Sequence, residues 1–154
     1  MKEKKVCFIS STGGHFEQLM QLSYVSEKYN CYYILPDSKS FEKLNKKKFL
    51  ITNISKKNKI YFVYSFIFSS FQQLYIFFRQ RPDIVITTGA GFVVPTCLIS
   101  KIFGKKLIYI ESFARIRTLN KTGKFLYKYA DLFVVQWKDL QKLCPKAVYR
   151  GWIY

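Results

Sequence analysis

Ile84-Val85-Ile86-Thr87-Thr88-Gly89-Ala90-Gly91 carries the fold in eight residues. Its apolar run has no period-two alternation, which suits a strand of a parallel sheet covered on both faces. The run ends in threonine and glycine, and helical periodicity follows through Phe103. The chain begins in the same order. Lys5–Ser10 reads as a strand, Ser11-Thr12-Gly13-Gly14 as its loop, and His15–Tyr29 as a helix with Phe16, Leu19, Met20, Leu22 and Val25 on one apolar face.

Outward from these two units the pattern repeats. Cys31–Leu35, Asp83–Thr87, Lys106–Ile110, Asp131–Val135 and Ala147–Tyr149 read as strands, with one more short strand at Phe49–Ile54 inside a polar stretch of weak pattern. Helices are expected over residues 60–78, Lys121–Tyr129 and Gln136–Leu143, and Glu111–Asn120 reads as a polar, basic loop. The expected fold is a Rossmann-like α/β domain, a parallel sheet with helices on both faces, occupying residues 1–154 as a single domain. It stops soon after a strand, an abrupt end that fits a domain with a missing half.

Lys and Arg number 26 against 9 acidic residues, a net charge of +17. That excess points to a polyanionic partner, either nucleic acid or an anionic membrane surface, although any single basic cluster also reads as a solvated loop. Aromatic residues make up 19% of the chain, more than so small a core needs. Cys7, Cys31, Cys97 and Cys144 lie far apart with one histidine to join them, so no metal site is expected and they read as buried thiols in a reducing cytoplasm. The charged N-terminus runs directly into a strand and a glycine loop, so no signal peptide is expected.

Ligands of open parallel sheets bind outside the carboxyl ends of the strands. Three polar loops fall there: residues 10–15, 87–91 and 111–117. Gly13, Gly14, Gly89 and Gly91 let backbone N–H groups approach an anion, and the natural guest is a phosphate or pyrophosphate beside Ser11, Thr12 and Thr88. Each loop serves equally well as a tight turn. Neither glycine loop has the G-x-G-x-x-G or G-x-x-x-x-G-K-[ST] pattern, which disfavours a nicotinamide dehydrogenase or a P-loop ATPase. His15, at a helix entrance, reads either as a base toward a sugar hydroxyl or as a helix-start hydrogen-bonder. Glu111 ends an apolar strand, where a carboxylate needs a partner or a task, and Arg115 or Arg117 is the expected partner.

Residues 60–78 carry no charge, and their 19 positions approach the roughly 20 that span a bilayer. Ser65, Ser69, Gln72 and Gln73 interrupt them on a narrow stripe, and strands of one sheet flank them on either side. A monotopic helix reconciles both facts, with Phe62, Phe66, Phe71 and Phe78 in the headgroup zone and Lys56, Lys57, Lys59, Arg79 and Arg81 at its ends. An ordinary sheet-covering helix is the other reading.

Several stretches together resemble the small membrane subunit of the split N-acetylglucosaminyltransferase of dolichol-linked oligosaccharide assembly, and its bacterial relatives in capsule and exopolysaccharide synthesis. They are Ser11-Thr12-Gly13-Gly14-His15 with Gln18-Leu19, Arg81-Pro82-Asp83 through Gly91, Ile108-Tyr109-Ile110-Glu111-Ser112-Phe113-Ala114-Arg115, Lys121-Thr122-Gly123-Lys124, Val135-Gln136-Trp137, and Pro145-Lys146-Ala147 with Gly151. Asn120 stands where the family often has Ser, and Cys144 where an aromatic often precedes the proline.

The resemblance implies the N-terminal, acceptor-side half of a GT-B glycosyltransferase. A polyprenyl-pyrophosphate-linked acceptor would meet the glycine loops together with Glu111, Ser112 and Arg115, and His15 would sit near the reacting hydroxyl. Trp137, Trp152, Ile153 and Tyr154 would dock a small catalytic subunit. This chain would bind no cofactor of its own, the nucleotide sugar lying on that partner. Peripheral attachment to the cytoplasmic face of a bacterial membrane is implied as well. Two other readings are a basic nucleic-acid- or membrane-binding module, which has charge but no recognition motif behind it, and a self-sufficient nucleotide-sugar enzyme, for which no donor pocket is legible.

Overall fold

The computed structural model describes residues 4–54 and 58–153. Lys56, Lys57 and Tyr154 of the sequence reading lie outside them.

Seven strands form one parallel sheet in the order β3-β2-β1-β4-β5-β6-β7. They are β1 Lys5–Ile9, β2 Asn30–Pro36, β3 Lys48–Ile51, β4 Ile84–Thr87, β5 Lys106–Ile110, β6 Leu132–Val135 and β7 Val148–Tyr149. Val6 pairs with Cys31 on one side and Ile84 on the other, so the direction of winding reverses between β1 and β4. The helices are α1 Gly14–Met20, α2 Ser23–Lys28, α3 Lys59–Gln80, α4 Val94–Ile102, α5 Lys121–Leu126 and α6 Lys138–Leu143.

Alternate strand residues feed two cores, as the pleat requires. Cys7, Ile34, Val85, Leu107 and Phe133 meet Ile76 and Phe77 of α3, Cys97 of α4, Leu126 of α5 and Leu140 of α6 on one face. Val6, Phe8, Tyr33, Leu35 and Ile86 meet Leu19, Phe16 and Val25 of the first two helices, with Phe41, on the other. On that second face Ile84, Ile108 and Val134 stay half-buried, with Ile153 of the C-terminal tail packed against the same cluster. Cys7, Cys97 and Cys144 are buried, while Cys31 is half-buried, which corrects the expectation of four buried thiols.

Several boundaries differ from the sequence reading, and side-chain hydrogen bonds account for those of β3 and α6. The helix expected over His15–Tyr29 breaks at Gln21 and Leu22, where the Leu22 N–H bonds the Leu19 carbonyl at 3.1 Å and the Leu22 carbonyl restarts the next helix through Val25 and Ser26. β3 stops at Ile51 rather than Ile54 because the next N–H, that of Thr52, donates to Gln72 Oε1 of α3 at 2.8 Å instead of to a strand. Gln136 stays outside α6, its amide engaged by two loops. α5 is regular to Leu126 and closes to Tyr129 in turns.

Asn58 caps α3 by accepting the Tyr61 N–H at 2.9 Å. Arg81 ends the helix in the left-handed region, with its N–H on Phe77, and Pro82 follows. Between these ends the helix is inverted. Ser65, Ser69 and Gln73 face the protein and are buried, while Ile60, Tyr64, Phe71 and Tyr75 face outward at 80, 67, 66 and 63% exposure. Gln73 accounts for the polar interior: its Nε2 donates to the Phe92 carbonyl at 2.9 Å, and its Oε1 accepts from Thr96 Oγ1 at 2.8 Å.

The four phenylalanines assigned to the membrane divide between two sides of α3. Phe71 and Phe78 point outward as expected. Phe66, half-buried, and Phe62, still 45% exposed, instead stack on each other at 6.2 Å and line a cleft beside the strand-end loops, because they lie on the helix flank shared with Ser65, Ser69 and Gln73.

Candidate functional site at the sheet switch point

The loops after β1 and β4 leave the sheet where its winding reverses, the position at which open α/β sheets place their ligands. Two hydrogen bonds lock these loops together. The Thr88 hydroxyl donates to the His15 carbonyl at 2.6 Å, and His15 Nδ1 lies 2.8 Å from the Thr88 carbonyl. A carbonyl only accepts, so Nδ1 carries a proton, and in the neutral ring the lone pair lies on Nε2. The backbone has thus selected the tautomer that can receive a proton at Nε2.

Gly89 lies beneath this pair at φ +107°. A Cβ there would stand 2.7 Å from the Tyr109 hydroxyl and 3.4 Å from His15 Cε1, so glycine is required both by backbone and by space. Ala90 follows at φ +78°, a strained setting for an L residue that costs on the order of 1–3 kcal/mol. Gly13, Gly14 and Gly91 are exposed, with open space where side chains would be. Glu17 in the first turn of α1 places a carboxylate on that turn.

Glu111 is fully buried, and it does not pair with an arginine. Its carboxylate accepts from the Ser112 N–H at 2.8 Å, the Asn120 N–H at 3.3 Å and the Asn120 side-chain amide. Arg115 and Arg117 stand exposed on the loop, and among the described residues Glu111 forms no ion pair. Burial holds its pKa above the ordinary carboxyl value, against the N–H donors of Ser112 and Asn120 and the charge of Arg115. Asn120 also caps α5, accepting the Gly123 N–H at 2.6 Å and the Tyr109 hydroxyl at 3.2 Å. A Cβ on Gly123 would collide with the Glu111 carboxylate.

The Glu111 carbonyl receives two buried glutamines, Gln18 and Gln136, each at 3.0 Å. Gln18 Oε1 accepts the Phe113 N–H and Gln136 Oε1 the Ile153 N–H, so helix α1, the loops after β5 and β6, and the C-terminal tail close around one backbone oxygen. Beside them Phe113, Trp137 and Trp152 form an aromatic cluster with centroids 5.1 to 5.6 Å apart, and the Trp137 indole donates to the Phe113 carbonyl at 2.7 Å. Trp152 remains 57% exposed.

The sequence-assigned residues therefore fall into two sets. Thr12, Gly13, Gly14, Gly91 and Arg115 are open to solvent, with Ser11, His15 and Ser112 half-buried at the same edge. Thr88, Gly89 and Glu111 are sealed beneath them and fix their geometry. Gln18, Gln136, Tyr109 and Asn120 complete that layer; the resemblance motifs contained three of them, but nothing in their spacing marks a buried hydrogen-bonding role. A cleft of about 630 Å³ opens next to the exposed set, walled by Ser11, Thr12, Ala90 and Gly91 from the loops and by Phe62, Phe66, Phe92, Pro36, Asn53 and Ile54. Among the described residues no three His, Cys, Asp or Glu side chains gather as a metal site.

A family profile described as "Oligosaccharide biosynthesis protein Alg14 like" matches residues 6–153. The chain belongs to that family. The human protein named UDP-N-acetylglucosamine transferase subunit ALG14 is 29% identical to this Alg14-like chain over 175 residues, covering 95% of the chain and 81% of the human protein. The relative of that name from Schizosaccharomyces pombe is 41% identical over 75 residues, covering 46% of this chain and 36% of its own.

Among solved structures, UDP-N-acetylglucosamine 2-epimerase from Rickettsia bellii matches 98% of the Alg14-like chain with a TM-score of 0.75 at 12% identity. MurG of Acinetobacter baumannii matches 88% with a TM-score of 0.72 at 15% identity. The fold is thereby that of a Rossmann-like half of larger proteins, since the chain spans only 45% and 42% of those two.

Proposed function

We propose that this Alg14-like chain is the acceptor-side subunit of a split glycosyltransferase, with little or no transferase activity alone, acting in capsular or exopolysaccharide repeat-unit assembly on the cytoplasmic face of a bacterial membrane. The observation that carries the reading is its family relation to proteins named as subunits of a UDP-N-acetylglucosamine transferase. In this reading a lipid-pyrophosphate-linked acceptor sits against Ser11, Thr12, Gly13, Gly14 and Gly91, with Ser112 and Arg115 at the rim. His15 Nε2, the nitrogen left free by the Nδ1 contact to the Thr88 carbonyl, takes the proton of the acceptor hydroxyl as the sugar is transferred.

The nucleotide sugar is bound by a separate small subunit, docked on Trp137, Trp152 and Ile153 and beside the half-buried strip of Ile84, Ile108 and Val134. The outward aromatic face of α3, with Lys59 and Arg79 at its ends, lies in the headgroup zone of an anionic membrane. Supporting this, an apolar face of that extent is otherwise an aggregation hazard in water.

Co-expression with a small glycosyltransferase that supplies a nucleotide-sugar-binding half tests the proposal. Co-purification of the two, and sugar transfer to membrane acceptors only when both are present, is the expected result. A transferase fully active without this chain would overturn it.

A further inference from the structure

The cleft beside the switch point has two chemically different walls. Ser11, Thr12 and Gly91 form one, at the edge where the acceptor's phosphates are placed above, and the stacked rings of Phe62 and Phe66 form the other. Phe62 also lines a second, adjoining depression with Val63, Asn58 and Lys59 at the start of α3. The two depressions share Phe62, and beside it Ile60, Val63 and Tyr64 stand exposed on the first turns of the helix, so an apolar route runs from the glycine loops past Phe62 toward the outward face of α3.

An occupant of this path must be anionic at one end and apolar along its length, and must enter from the side on which α3 exposes its aromatic residues. A free nucleotide has no use for the apolar length, and a bulk phospholipid has no reason to reach the strand ends. Resting on the acceptor-side reading, we propose that the cleft seats the first isoprenoid units of the acceptor's lipid carrier, gripped by Phe62 and Phe66 where the chain leaves its phosphates for the bilayer. The remaining outward residues of α3 then hold the protein at the surface, and these two phenylalanines select the lipid.

Calorimetric titration of the full chain with farnesyl pyrophosphate, dimethylallyl pyrophosphate and inorganic pyrophosphate, below micelle-forming concentrations, tests this. Farnesyl pyrophosphate is expected to bind at least about tenfold more tightly than dimethylallyl pyrophosphate, as burial of further apolar carbon requires. Phe62→Ser with Phe66→Ser should remove roughly that tenfold and leave the inorganic pyrophosphate affinity unchanged, whereas Phe71→Ser, on the outward face, should change neither. If the serine pair does not melt cooperatively, Phe62→Trp narrows the cleft and is expected to reduce the farnesyl preference in the same way.

Equal affinity for all three ligands, absence of farnesyl binding, or an equal loss from Phe71→Ser would overturn the proposal. Failure here while transfer still requires this chain removes only the lipid seat. Farnesyl binding by a chain that transfer does not require removes the acceptor reading instead.

Discussion

Gln18, Gln136, Thr88 and Glu111 are buried at the switch-point edge, and Ser65, Ser69 and Gln73 are buried beneath α3, yet the two regions bury polar groups to different ends. At the edge every buried polar group holds a loop, and what reaches the surface is glycine, a half-exposed imidazole and a tryptophan. Along α3 the polar residues turn inward and what reaches the surface is aromatic. Breaking the first region should cost folding energy or chemistry. Breaking the outward face of the second should leave the fold intact and cost attachment.

The largest effect is expected at His15. His15→Ala should lower kcat of the assembled transferase by at least about a hundredfold, the ordinary range for loss of a general base, while melting shifts little because only the Thr88 contact is lost. A pH–rate profile accompanies it. If activity falls together with stability and the profile keeps its shape, His15 is a loop tie and nothing more.

Next comes Glu111→Ala, which leaves the Ser112 and Asn120 donors unanswered in a buried site; a loss of about 3 kcal/mol is expected. Urea unfolding measures it, and a loss under half of that would show that water replaces the carboxylate. Gly89→Ala should cost about 2 kcal/mol through its backbone setting and the Tyr109 overlap. Pairing it with Tyr109→Phe, which removes the colliding oxygen, is expected to recover part of that loss.

On α3 the expectation reverses. Ile67→Ser, Phe71→Ser and Tyr75→Ser together should keep the urea midpoint or raise it, and weaken binding to vesicles containing an anionic lipid by roughly tenfold or more. Unchanged vesicle binding with a lowered midpoint would make this face a protein-packing surface.

The smallest effect is a pH slope. The raised pKa of Glu111 means that the folded state holds the proton more tightly than the unfolded chain, whose carboxyl titrates near its ordinary value of 4.5. Its contribution to stability is therefore full below that value, falls as pH rises through the interval up to the native value, and is flat above it. Thermal melts of wild type and Glu111→Gln across this interval should differ in slope; parallel curves would place the titration elsewhere.

Much of this arrangement was legible. Unbroken apolar runs such as Ile84-Val85-Ile86 identify strands of a covered parallel sheet, and the glycines at their ends locate the loops, because chain geometry there depends on local residue type. The stripe of Ser65, Ser69 and Gln73 was legible too, but its direction was not. Periodicity reports that a helix has two faces without saying which one meets the sheet. For the same reason Phe62 and Phe66 could not be told apart from Phe71 and Phe78 by composition alone.

The pairing of Glu111 shows the limit most clearly. Charge favoured Arg115 or Arg117 as its partner, whereas the fold supplied Asn120 and two backbone N–H groups. The sequence by itself determined which residues form strands, where glycine frees the backbone, and that the chain is strongly basic and aromatic, since these depend on neighbours along the chain. Only the tertiary structure decided that Gln18 and Gln136 meet at one carbonyl, that Thr88 sets the tautomer of His15, and that α3 turns its aromatic side outward. Each of those depends on groups brought together from distant parts of the chain, where burial leaves a polar atom no partner but the one the fold provides.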